Sequence, residues 1–307
     1  MSNQATNHWG IIQVTGEDAE TFLHSQLSNS IRNFKSPQEV RLAAYCSAKG
    51  RVMGSFFIWR YADAFYLLCQ AELIGKLIQR FNLFKLRSKC VFSDLSTEYL
   101  YQTVLTPRQE KLVAETSESH HLLILPCLES NAHSAGLRMT PLTPKNTNQP
   151  QINQLLLAPP YYFEYALQQL GIAYITQTTY EQFTVQNMNY DLIGGVDFNK
   201  GCYPGQEIVA RSHYLGKIKK RALLATTNQE VKPGQDLWLH ADNPHEPVGV
   251  VINACRFEGK TYLLVEAPLQ EAIEEKKQFC FNQTNSDDTF YLSAPPYDVL
   301  AKGNQLA

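Results

Sequence analysis

The spacing of hydrophobic and polar residues predicts many short strands interleaved with a few single helices. Apolar residues recur at helical spacing in four segments, residues 19–27, 73–86, 161–170 and 205–212. Short apolar or alternating runs bounded by turn residues predict strands at 11–14, 41–46, 52–59, 64–69, 89–95, 99–105, 111–116, 121–127, 222–226, 236–240, 248–255 and 260–266. This mixture is typical of an α+β fold and not of a doubly wound parallel sheet.

The same pattern predicts how the chain is divided. Residues 142–152 are rich in Pro, Thr, Asn and Gln without periodicity, which indicates a linker. We therefore expect residues 1–221 to form one region of two α+β subdomains joined near that linker. Residues 222–281 carry four strands separated by turns and predict a small antiparallel β-barrel. The polar residues 282–307 are expected to form a poorly packed tail.

Composition limits the function classes. The 307-residue chain has a net charge of −2, which argues against a surface built as a whole for nucleic acid. One local run is basic and lacks acids, and contains Arg211, Lys217, Lys219, Lys220 and Arg221. It is either a solvated surface or an anion site, for a polyglutamate tail or for tRNA phosphates brought by a partner. No aromatic-interleaved motif accompanies it, so direct nucleic-acid binding is not expected.

The cysteines and the apolar runs indicate the compartment. The seven cysteines are scattered singly, with no CxxC pair, which is typical of a reducing compartment. The usual ligand spacing for zinc or an iron–sulfur cluster is missing, so no metal site is expected in this chain. No export signal and no apolar run of membrane-spanning length is visible. We expect a cytoplasmic protein that does not bind a membrane.

The richest chemistry lies in residues 199–211. A cysteine stands there between two glycines, preceded by a lysine and followed by two polar residues: Lys200, Gly201, Cys202, Gly205, Gln206 and Glu207. A helix is predicted to begin at Gly205, so Cys202 lies close to unpaired backbone N–H groups. Those groups and Lys200 both favour the thiolate. The two glycines can take a positive φ or allow a close approach. The alternative is a buried structural cysteine.

Several strings resemble one family. The segment KGCYPGQEIVAR at 200–211 is similar to the signature of the YgfZ family, folate-binding proteins related to the T-protein of the glycine cleavage system. The family's usual form has Thr where this chain has Pro204. Further blocks that resemble the family are TGEDAETFLHSQLSNSI at 15–31, AAYCSAKGRV at 43–52 and GIAYI at 171–175. The blocks keep the family order through residue 221.

This resemblance implies an α+β folate-binding fold of mixed and antiparallel sheets with a small C-terminal barrel. It also implies a tetrahydrofolate-binding accessory protein, which acts on iron–sulfur enzymes or their assembly proteins and affects tRNA methylthiolation indirectly. The cofactor would be tetrahydrofolate or a derivative. The alternative is a tetrahydrofolate-dependent aminomethyltransferase of the T-protein type. That enzyme would need an acid near residues 54–57, where this chain has Gly-Ser-Phe-Phe, so we do not expect a conventional enzyme.

The resemblance also assigns site residues. Cys202 would be the functional thiol and Lys200 would assist it. Gln169 stands where the family has the glutamate that holds the pterin, and an amide cannot make that charge-assisted bond. Lack of that bond leaves open a third possibility, a scaffold that binds no folate. The remaining predicted folate contacts are Lys49 and Arg51 in the 47–51 turn, and Gly201, Tyr203, Gly205, Gln206, Glu207 and Arg211 in the motif. For the 47–51 turn, a solvated hairpin tip is an equally good interpretation as a folate contact.

Overall fold

The computed structural model describes residues 8–117, 120–127, 133–142, 156–159, 161–240, 246–281 and 289–301. Within these ranges the chain forms helices and three antiparallel five-stranded sheets. The α+β fold is therefore confirmed. The predicted linker at 142–152 lies outside the described residues apart from Leu142.

The first sheet has the strand order β2-β3-β4-β1-β5 and is buried on both faces. Because successive strand residues point to opposite faces, Ile12 and Val14 of β1 pack in one core while Trp9 and Ile11 pack in another. The first core also holds α1 and α2. The elements of this unit are β1 Trp9–Thr15, α1 Ala19–Gln26, β2 Arg41–Cys46, β3 Val52–Tyr61, β4 Ala64–Gln70, α2 Ile74–Phe84 and β5 Val91–Asp94.

The second sheet has the order β10-β6-β9-β8-β7 and shares the second core with the first sheet and with α3. Its elements are β6 Tyr99–Pro107, β7 Val113–Ser117, β8 His120–Ile124, β9 His133–Pro141 and β10 Leu156–Leu157, followed by α3 Tyr162–Gln169. Strand β9 is not predicted by the sequence, yet it pairs with β6 along its whole length. Its sequence mixes Gly, Ser, Arg and Thr among few apolar residues, so the periodic signal is weak.

The third sheet follows helix α4 and curls into a half-barrel with the order β11-β14-β13-β12-β15. Its elements are α4 Gln206–Leu215, β11 Lys220–Thr227, β12 Asp236–Leu239, β13 Gly249–Phe257, β14 Lys260–Pro268 and β15 Phe279–Cys280. The expected C-terminal antiparallel β structure is confirmed.

The expectation of a poorly packed tail is wrong for residues 289–301. Phe290 pairs with Phe279 of β15, and Ser293 pairs with Leu224 of β11, so this segment joins the two edge strands of the third sheet. Phe290, Leu292 and Val299 are buried in the barrel core. Such isolated apolar residues in a polar segment have no period, which is why the sequence does not reveal them.

A buried polar network ties the barrel to the loops that precede the motif. The guanidinium of Arg221 donates two hydrogen bonds to the Asp191 carboxylate, at 2.8 and 2.9 Å. Asn189 Nδ2 donates to Ala222 O and to the Tyr297 hydroxyl, which in turn donates to Gly171 O. The position of the motif therefore depends on contacts from β11 and from the C-terminal segment.

Candidate functional site

The motif loop leads directly into helix α4. Gly205 is the residue before the helix and has a φ of 79°. Pro204 therefore lies just outside the helix and not in its first turn. Cys202 lies shortly before the first helical residue, Gln206, as the sequence predicts, and its side chain is exposed. The alternative of a buried structural cysteine is wrong.

Gly205 and Gly50 allow the cysteine motif at 199–211 to pack closely on the 47–51 turn. A Cβ on Gly205 would lie 2.4 Å from Ser47 O and 2.8 Å from Gly50 Cα. Gly50 has a φ of 70°, and a Cβ there would lie 3.1 Å from the Ile208 side chain. The β2–β3 turn thus packs backbone against backbone on the start of α4. Lys49 and Arg51, which the sequence assigns to the site, lie in this turn.

Lys200 anchors the motif loop from the other side. Its ammonium donates to Leu27 O at 2.6 Å and also to His24 O, both at the C-terminal end of α1. It also lies 4.7 Å from the centre of the Tyr203 ring. Burial lowers the pKa of Lys200 to about 8, while Asp197 and Cys202 act in the opposite direction. The ammonium therefore holds the loop on α1, a role that the sequence does not predict.

Tyr203 and Gly201 differ in how the fold uses them. Tyr203 is buried, burial raises the pKa of its hydroxyl, and that hydroxyl has no hydrogen-bond partner in the described ranges. Gly201 has no positive φ, and a Cβ there would meet no atom within 4 Å. Gly201 therefore has neither a positive φ nor a close contact within the described chain, whereas Gly205 has both.

The remaining predicted site residues are either exposed to solvent or used in contacts within the fold. Lys49 is exposed, as are Glu207 and Arg211 on the outer face of α4, and Gln206 is half-buried. Arg51 donates to Gln182 O and its backbone bridges Thr184. The Arg51 guanidinium therefore holds a neighbouring loop.

Gln169 lies away from these residues, as the last residue of α3, a helix that packs on β13 and β14. The buried carboxylate of this helix belongs instead to Glu164, which is 9% exposed. Its Oε1 accepts a hydrogen bond from Trp9 Nε1 at 2.9 Å, and burial raises its pKa. Sequence reasoning missed Glu164, although an acid next to Phe163 on the apolar face of a helix is a visible signal.

Glu164 faces a cavity of about 530 Å³ between the first sheet, α3 and the barrel. Its wall contains aromatic rings, a thiol and five polar side chains besides Glu164: His8, Tyr161, Tyr174, Cys255, Gln70, Glu72, Thr176, Thr178 and Arg256. Gln70 is 6% exposed, and its Nε2 finds no acceptor among the described residues. The volume lies within the range of small-molecule sites, about 300–1,000 Å³. Gln169 does not line this cavity.

The described ranges contain neither a cluster of metal-ligating side chains nor a helix suited to cross a membrane. No group of three His, Cys, Asp or Glu side chains is placed to hold a metal ion. No helix in this part of the chain has the length and apolar character needed to cross a membrane.

Comparison with known proteins supports the resemblance seen in the sequence. The chain is 26% identical over 287 residues to a tRNA-modifying protein YgfZ of Hamiltonella defensa, covering 88% of this chain and 83% of that protein. The resemblance to the YgfZ family is confirmed. No family model matches the YgfZ-like chain. Its fold is similar to a glycine cleavage system aminomethyltransferase T from Bartonella henselae, with a TM-score of 0.64 at 13% identity over 97% of this chain and 86% of that one. That likeness confirms the expected fold.

One position of this YgfZ-like chain bears on chemistry. Ser55 lies in β3, where the resemblance to aminomethyltransferases would require an acid, and its hydroxyl accepts a hydrogen bond from Ile175 N–H at 2.9 Å. At the neighbouring Gly54, a Cβ would lie 2.9 Å from the end of the Leu77 side chain, so a larger residue there would require Leu77 to shift. Strand β3 carries no carboxylate.

Proposed function

We propose that this chain is a YgfZ-type accessory protein that binds a reduced folate and supports tRNA modification by maintaining iron–sulfur enzymes. Cys202 is its working thiol. The observation that carries the proposal is an exposed thiol on a loop held from two sides. Lys200 binds the loop to α1, and Gly205 presses it on the β2–β3 turn. A thiol presented in this way is accessible to a second protein.

The folate would be held in the cavity beside α3. The Glu164 carboxylate is placed to accept hydrogen bonds from the paired N–H groups of a pterin ring, and Gln70 Nε2 offers a donor for a ring acceptor. A buried donor without an acceptor costs free energy that such a ligand would recover. When bound, a reduced folate supplies a carrier for one-carbon units. In this arrangement Glu164 takes the part that the resemblance gives to position 169.

The alternative, a T-protein-type aminomethyltransferase, needs an acid close to the reacting nitrogen. Strand β3 carries none, and the Ser55 hydroxyl is engaged by the fold. No observation favours this alternative over the accessory role. The likeness to the Bartonella henselae aminomethyltransferase concerns the fold.

The thiol is tested by complementation. In a strain from which the gene is deleted, iron–sulfur enzyme activity and tRNA methylthiolation are measured under oxidative stress with wild type or variants supplied back. Wild type should restore both, and Cys202→Ala and Cys202→Ser should not. Cys127→Ala, in the segment that follows β8, serves as a matched cysteine control at a half-buried position and should restore both. Full rescue by Cys202→Ala would show that the thiol is not used.

The folate site is tested by calorimetric titration of the purified protein with tetrahydrofolate. Glu164→Gln should weaken binding about tenfold or more, because it removes a charge-assisted acceptor while keeping the side-chain shape. Lys49→Gln, at the exposed hairpin tip, is the control and tests the assignment made from the sequence. If Lys49→Gln weakens tetrahydrofolate binding and Glu164→Gln does not, the folate site lies at the hairpin turn and not in the cavity beside α3.

A further inference from the structure

We propose that the C-terminal end of α4 and the extended stretch after it bind single-stranded nucleic acid, with a base stacked on Tyr214. This goes beyond the proposed function, in which tRNA is affected only through other enzymes. Direct binding is not expected from the sequence, because the basic run contains one tyrosine, Tyr214, and no aromatic-interleaved nucleic-acid motif. The fold changes that argument by bringing Phe198 beside the end of α4.

Three aromatic rings form a cluster at this place. The rings of Phe198 and His213 stack with centroids 3.8 Å apart and planes 20° apart. Tyr214 meets both of them edge to face. The cluster supports Tyr214 from one side, while 65% of that residue remains exposed. An exposed, supported ring is the type of platform on which nucleic-acid bases stack without sequence preference.

The cations of the basic run divide into two groups. Arg221 is buried against Asp191, and Lys220 lies 3.8 Å from Glu266, so both serve the fold. The other three, Arg211, Lys217 and Lys219, are exposed and form no ion pair with any described residue.

The three exposed cations flank the ring. Arg211 stands three residues before Tyr214, on the same face of α4. Lys217 and Lys219 flank half-buried Ile218 just after the helix. These cations are available to three phosphates of a chain that passes over Tyr214.

A cavity of about 500 Å³ adjoins the cations and favours nucleic acid over an acidic peptide. Lys217 and Lys219 line one side, and Ile218 and Leu269 contribute apolar surface. Glu271 and Glu274 also line it. Their carboxylates would repel any anionic group that entered the cavity, which includes every side chain of a polyglutamate tail and the phosphates of a nucleic acid, but not its uncharged bases. They can instead accept hydrogen bonds from the exocyclic amino groups of a base.

The charge contribution is tested by fluorescence anisotropy with labelled 20-nucleotide single strands of mixed sequence, one RNA and one DNA, titrated with the full chain at several salt concentrations. Affinity should fall with salt, because each contacted phosphate contributes about −0.7 to the logarithmic slope. The triple variant Arg211→Gln/Lys217→Gln/Lys219→Gln should bind more weakly and have a slope shallower by about two. The control Lys111→Gln/Lys232→Gln/Lys260→Gln removes the same charge from other exposed positions and should bind like wild type.

The stacking contribution is tested at Tyr214. Tyr214→Ala should weaken binding about tenfold, because stacking contributes substantially for each base, while Tyr214→Phe keeps the ring and should bind normally. If both the RNA and the DNA bind, the site recognises the phosphates and bases that the two strands share. If only the RNA binds, the site also recognises the 2′-hydroxyl. The proposal is overturned if neither strand binds, if the control triple loses as much affinity, or if polyglutamate displaces the strands equally from wild type and Tyr214→Ala. These variants leave Cys202 and Glu164 unchanged, so this failure would not touch the proposed function.

Discussion

The contact between the two motifs predicts that Gly205→Ala destabilises the protein by about 2–5 kcal/mol. A φ of 79° costs a residue with a Cβ about 1–2 kcal/mol. The new Cβ would also lie 2.4 Å from Ser47 O and 2.8 Å from Gly50 Cα. These are backbone atoms that cannot rotate away, so the β2–β3 turn must separate from α4. Overpacking of this kind adds about 1–3 kcal/mol.

The assay is urea unfolding followed by tryptophan fluorescence, with Gly201→Ala as the matched control. Gly201 lies in the same loop but has no positive φ and open space around it, so its alanine variant should stay within about 0.5 kcal/mol of wild type. The reasoning is refuted if Gly205→Ala costs less than about 0.5 kcal/mol, or if the two variants cost the same. A stable Gly201→Ala protein that fails in complementation would show that a partner approaches the loop at Gly201.

Three other predictions follow from buried groups. Arg221→Met should cost about 3–5 kcal/mol in urea unfolding, because it leaves Asp191, 2% exposed, charged and unpaired. Adding Asp191→Leu should recover much of that loss, and a single variant as stable as wild type would contradict the reasoning. Glu164 has a pKa raised by burial, so its contribution to stability is complete below about pH 4.5 and is lost as the pH rises through the raised pKa. The stability difference between Glu164→Gln and wild type should therefore shift in favour of the variant as the pH rises from 4.5 to 7, and a constant difference would exclude this linkage. Lys200→Met should cost about 1–3 kcal/mol and speed cleavage of the loop by chymotrypsin after the half-buried Phe198, because two carbonyls at the end of α1 lose their donor and the loop is released. An unchanged rate of cleavage after Phe198 would contradict the anchoring role.

Much of the fold is readable from the sequence because its signals are local. The β2–β3 hairpin is predicted with Gly50 as its positive-φ residue, and the structure has a φ of 70° there. The helix after the cysteine motif is predicted from its apolar spacing and found as α4. In both cases turn chemistry and hydrophobic periodicity agree with the tertiary structure.

The sequence fails where the structure depends on distant pairing. Strand β9 is held by β6 and β8, and residues 290–293 are held by the edges of the barrel. Neither segment has a period of its own. The same limit applies to the site, because the hydrogen bond from Trp9 to Glu164 joins residues 155 positions apart. The acid on the apolar face of α3 is a local signal, but no local pattern shows that its partner is Trp9.

The structure separates two functions that the sequence places in one motif. Lys200, Tyr203 and Gly205 are used by the fold, as anchor, buried ring and backbone contact. Gly201 and Cys202 are exposed and make no such contribution. Stability therefore does not explain why a cysteine stands at position 202, whereas it does explain Gly205. A substitution at Cys202 should accordingly impair complementation without changing the free energy of unfolding.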